Sequence, residues 1–187
     1  MPSSTAEQQR GVRTLAFGML AAQGAAFLAT PLLTRVYDPS AFGAYAFLLS
    51  VIAVGSPVAA LRFDAALVLP EDRAEALTLV RTGMVAALGL AAAIGVVVGL
   101  VRPLLVEYGV VDAAAAGLLL WLPVLLPVTG FFQLCSAWHV RERAHAAAAR
   151  GRAAQGFLTA AAQLIAGLLS PAAIGLVLGD LAGRVGA

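Results

Sequence analysis

Long apolar runs alternate with short polar breaks along the whole chain, and no run shows the residue-by-residue alternation of a half-buried strand. The runs fall at about 14–34, 41–61, 79–101, 117–138 and 153–169, and a last one starts at 172 and reaches residue 187. A helix crosses the hydrocarbon of a bilayer in about 17–25 residues. The pattern predicts an all-α, polytopic membrane helix bundle with five complete spans and a partial sixth, forming a single transmembrane domain over residues 1–187. A membrane β-barrel needs alternating strands of about ten residues. Runs such as LGLAAAIGVVVGLV do not supply them.

The breaks carry the punctuation. VYDPSAFG reads as a short turn, with Asp38-Pro39 as its signal, Ser40 placed to cap the next helix and Tyr37 suited to a membrane interface. Leu61–Arg81 is the first place where charge interrupts the apolar pattern on both sides, and its residues 62–78 form a hydrophilic elbow. Within it, Pro70 followed by Glu71 and Asp72 predicts a helix start, because proline suits the first turn and acids suit the positive end of the dipole. Pro57 predicts a kink in the second span, and Pro123 with Pro127 predicts a bend in the fourth. Gly95 and Gly99 form a GxxxG that lets another helix approach closely, and Gly175, Gly179 and Gly183 repeat the same spacing.

Composition sharpens this picture. The chain is 61% hydrophobic and 12% charged with a mean hydropathy of +0.91, far from a soluble domain. Every basic residue is arginine. With the N-terminus on the cytoplasmic side, the inner segments hold Arg10, Arg13, Arg62, Arg73, Arg81, Arg141, Arg143, Arg150 and Arg152, against Arg35 and Arg102 in the outer loops. That asymmetry predicts a multi-pass membrane protein with its N-terminus and elbow cytoplasmic. Arg10 and Arg13 before an apolar stretch resemble a signal peptide, but the stretch is too long and lacks a cleavage site, so it reads as a retained span. A net charge of +2 gives no reason to expect nucleic acid, and the single Cys135 gives no disulfide framework.

Candidate chemistry is sparse. Arg152, Gln155, Thr159 and Gln163 share one face of the fifth span, either as a polar cavity wall or as helix–helix glue. Gln23, Thr30 and Thr34 on the first span allow the same two readings. Arg13, Arg35 and Arg62 flank the first two spans, where they either line a polar path or anchor the interface. Asp180 falls near the middle of the last run and is the candidate for ion coupling, with Arg184 at i+4 as an alternative neutralising partner. His139 and His145 lack the neighbours a metal site needs, so no metal, no cofactor and no catalytic residue is expected.

TPLLTRVYDPSAFGAYAFLLSVIAVGSPVAALRFDAALVLPEDRAEALTLV, followed by FFQLCSAWHVRERAH and LGDLAGR, resembles the polysaccharide-biosynthesis (O-antigen and exopolysaccharide) flippases of the multidrug/oligosaccharidyl-lipid/polysaccharide transporter superfamily. The resemblance implies a non-enzymatic transporter that moves a polyprenyl-diphosphate-linked oligosaccharide by alternating access between two six-helix lobes. It implies that this chain is a truncated N-terminal lobe whose partners are the lipid bilayer, the lipid-linked oligosaccharide, and a C-terminal lobe or second copy. Three other readings compete. A multidrug/cation antiporter wants carboxylates that the first span lacks, and a polysaccharide-assembly enzyme wants a gathered acid or histidine site. The last is a non-transporting scaffold or remnant.

Overall fold

The computed structural model describes all residues except 1, 2, 60–62, 68 and 71, and the side chains except those of 1–8, 10, 57–62, 64, 68 and 71. The described residues are helical with no strand: α1 Ser3–Val36, α2 Pro39–Ala59, α3 Phe63–Ala66, α4 Arg73–Glu107, α5 Ala113–Leu118, α6 Leu122–Arg141, α7 His145–Leu169 and α8 Ala173–Val185. Four stretches are long and apolar enough to cross a membrane, as in a multi-pass protein: Gly11–Val36, Pro39–Ser56, Arg73–Glu107 and Ala113–Arg141. That is one fewer than the five complete spans expected from the sequence. The fifth, α7, has 25 residues and the length, but Arg150, Arg152, Gln155 and Gln163 dilute its apolar character. With 13 residues, α8 is too short to cross about 30 Å of hydrocarbon at ~1.5 Å per residue.

The turn after α1 departs from expectation in two details. Because α2 begins at Pro39, the capping position falls on Asp38 rather than Ser40, and the Phe42 amide donates to the Asp38 carbonyl at 3.2 Å. Tyr37 is no interface residue but 2% exposed, packed edge-on against Phe42. Asp72 caps α4, its carboxylate accepting from the Ala74 amide at 3.1 Å, so the helix start expected beside Pro70 is present. Glu71 and the kink expected at Pro57 lie outside the described residues and side chains.

Of the two prolines of the fourth span, Pro123 stands in the first turn of α6 and Pro127 inside that helix. Pro123 has no N–H to donate, and the chain tightens into a 3₁₀ turn at Leu119–Trp121 between α5 and α6. Pro123 then packs on Gly95 of α4, where a Cβ would stand 3.4 Å from its ring. The central element is this α5–α6 span, with 56% of its apolar window buried against 17% in each of the other three. Around it, Ala44, Leu48 and Ile52 of α2, Val98 of α4, Leu118 and Leu119, Leu122, Leu125 and Leu126 of α6, and Val177 of α8 form the larger core.

The second region is a sheaf of α1, α7 and α8 built on small residues. Gly18 meets Ala149, Gly156 meets Ala22, and Gly167 meets Val36, in rising order along both helices, so α1 and α7 run parallel. On α7's other side Gly175 faces Ala166, Gly179 faces Gln163 and Gly183 faces Thr159, in falling order, so α8 runs antiparallel to it. A Cβ on Gly156 would lie 2.6 Å from the Ala22 Cα, and one on Gly179 would lie 2.7 Å from the Gln163 amide nitrogen. Glycine here removes a side chain from a backbone-to-backbone contact.

Candidate functional site

These helix directions sort the charges. One end of the bundle gathers the start of α1, the elbow, the α6–α7 connection and the end of α8, with Arg73, Arg141, Arg143, Arg150 and Arg184. The opposite end holds Arg35 and Arg102 beside Asp38, Glu107 and Asp112.

The polar face of α7 is consumed by packing. Gln163 is buried, and its Nε2 donates to the Leu176 carbonyl at 2.9 Å and to the Tyr45 hydroxyl at 3.1 Å. The Tyr37 hydroxyl donates to the Gln163 carbonyl at 2.8 Å, so one glutamine ties α7 to α8, α2 and the α1–α2 turn. Thr159 and the Gln155 carbonyl lie against the bare backbone of Gly183. Of the two readings of this face, helix–helix glue fits Thr159 and Gln163, while Gln155 meets α8 through its backbone carbonyl. Arg152 stands apart from them, half-buried, its guanidinium 5.3 Å from the centre of the Phe132 ring.

Asp180 is also spoken for. It is 6% exposed, and Arg184 Nε donates to its Oδ2 at 3.0 Å from one turn further along α8. A buried carboxylate paired this closely has its charge balanced on the spot. The neutralising alternative fits the geometry.

α1 presents the opposite case. Its Gly11, Gly18, Ala25, Ala29 and Leu33 are buried, while Arg13, Gln23, Thr30, Thr34 and Arg35 are exposed. Thr30 donates back to the Ala26 carbonyl at 2.8 Å and Thr34 to that of Pro31 at 3.1 Å. These backbone bonds leave a hydroxyl oxygen facing outward as an acceptor. The structure therefore separates the expected site residues into two groups: Gln155, Thr159, Gln163 and Asp180 inside the bundle, Arg13, Gln23 and Arg35 on its outer wall. Arg62 lies outside the described residues.

The elbow is held by a residue outside it that has no distinguishing mark in the sequence. Arg141, at the end of α6, donates to the carbonyls of Leu67 (3.1 Å), Pro70 and Asp72 (3.3 Å). Arg73 lies over the Trp138 ring at 5.8 Å. Leu67 is fully buried and Phe63 packs on Gly83 of α4, so the elbow is fastened to both α4 and α6. One arginine among several near a helix end carries no mark in the sequence of which one will turn back. Among the described residues no three His, Cys, Asp or Glu side chains come together as metal ligands would.

Comparison of the chain with known protein families, with characterised proteins and with solved structures finds no match.

Proposed function

We propose that this chain acts as one six-helix lobe of a transporter that moves a polyprenyl-diphosphate-linked oligosaccharide across a bacterial cytoplasmic membrane by alternating access. In this reading α7 crosses as the fifth span with its polar face turned to α8, and α8 enters as the sixth. The elbow end, rich in arginine, lies in the cytoplasm with the N-terminus.

The observation that carries the reading is the outer face of α1. A membrane helix rarely turns Gln and Arg toward lipid, because a polar group without a partner there costs free energy, and Thr30 and Thr34, bonded to their own helix, add acceptor oxygens to the same side. Arg13, Gln23, Thr30, Thr34 and Arg35 do face away from the rest of the bundle. Such a face suits the wall of a polar cavity closed by a second lobe or second copy, with hydrogen bonds for sugars and cations for the diphosphate. The order of the motifs TPLLTRVYDPSAFGAY and LRFDAALVLPED supports the choice of substrate class.

The test is transport in proteoliposomes loaded with a fluorescent lipid-linked oligosaccharide. Replacing Gln23, Thr30 and Thr34 together by Leu, Val and Val should slow flipping by about tenfold or more, since a barrier change of ~1.4 kcal/mol is already tenfold. Thr159→Val, inside the bundle, should leave the rate nearly unchanged. Absence of any flipping by the full native assembly, with its fold intact, would sink the proposal.

A further inference from the structure

The chain has two histidines, and they stand in different settings. His139, near the end of α6, is exposed, and its Nδ1 is engaged with the Cys135 carbonyl at 2.8 Å. His145, the first residue of α7, is turned onto α1, with the Cδ2–Nε2 edge of its ring laid on the bare backbone of Gly11. A Cβ at position 11 would stand 2.5 Å from Cδ2 and 2.9 Å from Nε2, so glycine is what leaves room for the ring. On the other side of the ring Nδ1 is enclosed and has no hydrogen-bond partner.

A neutral imidazole fits this seat, because with its proton on Nε2 it leaves only a lone pair at Nδ1. A second proton must go to Nδ1. There it makes an enclosed, charged N–H with nothing to accept it, which is among the costliest of unpaired groups.

The charges on the elements around the seat do not relieve that cost. The first turn of α7 has neither an acid nor a side-chain cap, and the positive end of its dipole opposes a cation at its first residue. The next charges along α7 are Arg150 and Arg152. On α1, Arg13 is exposed, while Glu7 and Arg10, whose side chains are outside those described, bring one charge of each sign. In the α6–α7 connection Glu142 and Arg143 are both exposed and of opposite sign, and Arg141 is spent on the elbow. Ala187 lies beside Gly151, on another face of α7.

We propose that His145 is a pH-sensitive latch on the α1–α7 seam. Neutral, it seats on Gly11 and closes the end of the seam. Protonated, it leaves the seat and lets the start of α1 swing away from α7, while the contact of Gly18 with Ala149 holds the rest. The closed form binds one proton fewer than the open form, so acid favours opening. Across the range in which an imidazole titrates, the ratio of open to closed rises by up to about tenfold per pH unit. The latch does not depend on the transport reading.

The measurement is a distance across the seam by double electron–electron resonance, on the full chain in nanodiscs. Nitroxide labels go on Gln9→Cys and Ala146→Cys, both exposed positions, in a Cys135→Ser background. At about pH 8 one short population should be present, and at about pH 5.5 a second, several ångströms longer, should dominate. His145→Phe keeps a flat ring that cannot titrate and should hold the short population at both pH values, as should the smaller change His145→Gln. His139→Gln should leave the response intact. Gly11→Ala removes the seat and should show the long population even at the higher pH.

Identical distributions at the two pH values in the parent overturn the latch. So does a shortening on acidification, which would mean that an acid such as Glu7 accepts from the charged ring. A response that survives both His145→Phe and His145→Gln, with helical signal and Tm matching the parent, belongs to another group and overturns it as well.

Discussion

The bundle contains two regions held together by different physics. Around α6, leucines of α2, α5 and α6 with valines of α4 and α8 fill a core in which side chains such as Leu48 and Leu125 are almost fully buried. In the α1–α7–α8 sheaf there are few large side chains to bury, and glycines bring backbones into contact so that Gln163, Tyr37 and Tyr45 can bond across. Lipid tails are as apolar as leucine, so in a membrane the first region gains by shape and the second by closeness and hydrogen bonds. The regions should therefore fail in different ways. A leucine core yields to a hole, a glycine sheaf to a bulge.

The largest effect should come from the sheaf. Gly156→Leu puts a side chain where Ala22 Cα already stands, and we expect a loss above about 4 kcal/mol, read as absence of folded product in detergent. Near-native yield would show that α1 and α7 can slide apart at little cost. Leu125→Ala should come next, at about 3 kcal/mol by steric-trap or denaturant unfolding, because the neighbours of a 1%-exposed leucine cannot all close in. If the same substitution costs nothing, the α6 region is not a packed core.

Gln163→Leu should cost about 1–2 kcal/mol by leaving the Leu176 carbonyl and Tyr45 hydroxyl without their donor. In a cycle with Tyr45→Phe the coupling should be near 0.6 kcal/mol, typical of hydrogen bonds between membrane helices. Zero coupling would mean the pair is not formed in the bilayer. The smallest global effect should belong to Arg141→Ala, about 1 kcal/mol. Its local effect is sharper, with tryptic cleavage after Arg73 rising about tenfold as the elbow comes loose. An unchanged cleavage rate would remove Arg141 from that role.

Much of the fold was legible because membrane helices announce themselves by length and hydropathy, and because Gly175, Gly179 and Gly183 at fixed spacing announce close packing. The fifth span was less clear. Its polar stripe reads equally as cavity wall or as glue, and only the position of α8 settles which side it faces. The site was legible as a set of residues and not as an arrangement. Nothing in periodicity distinguishes Gln23, which points out, from Gln163, which points in. Tyr37 was misplaced at the interface for a related reason. Its amphipathic ring suits a headgroup layer as well as it suits a buried carbonyl, and here Gln163 supplies the carbonyl.

The clasp of Arg141 on the elbow also bears on how the protein is made. The carbonyls it gathers belong to residues 74, 71 and 69 positions earlier in the chain. When the hairpin of α2 and α4 leaves the ribosome, its fastener has not yet emerged. The hairpin must choose its direction across the bilayer with an open elbow, guided by the arginines already present. Only when α6 arrives does that choice become hard to reverse.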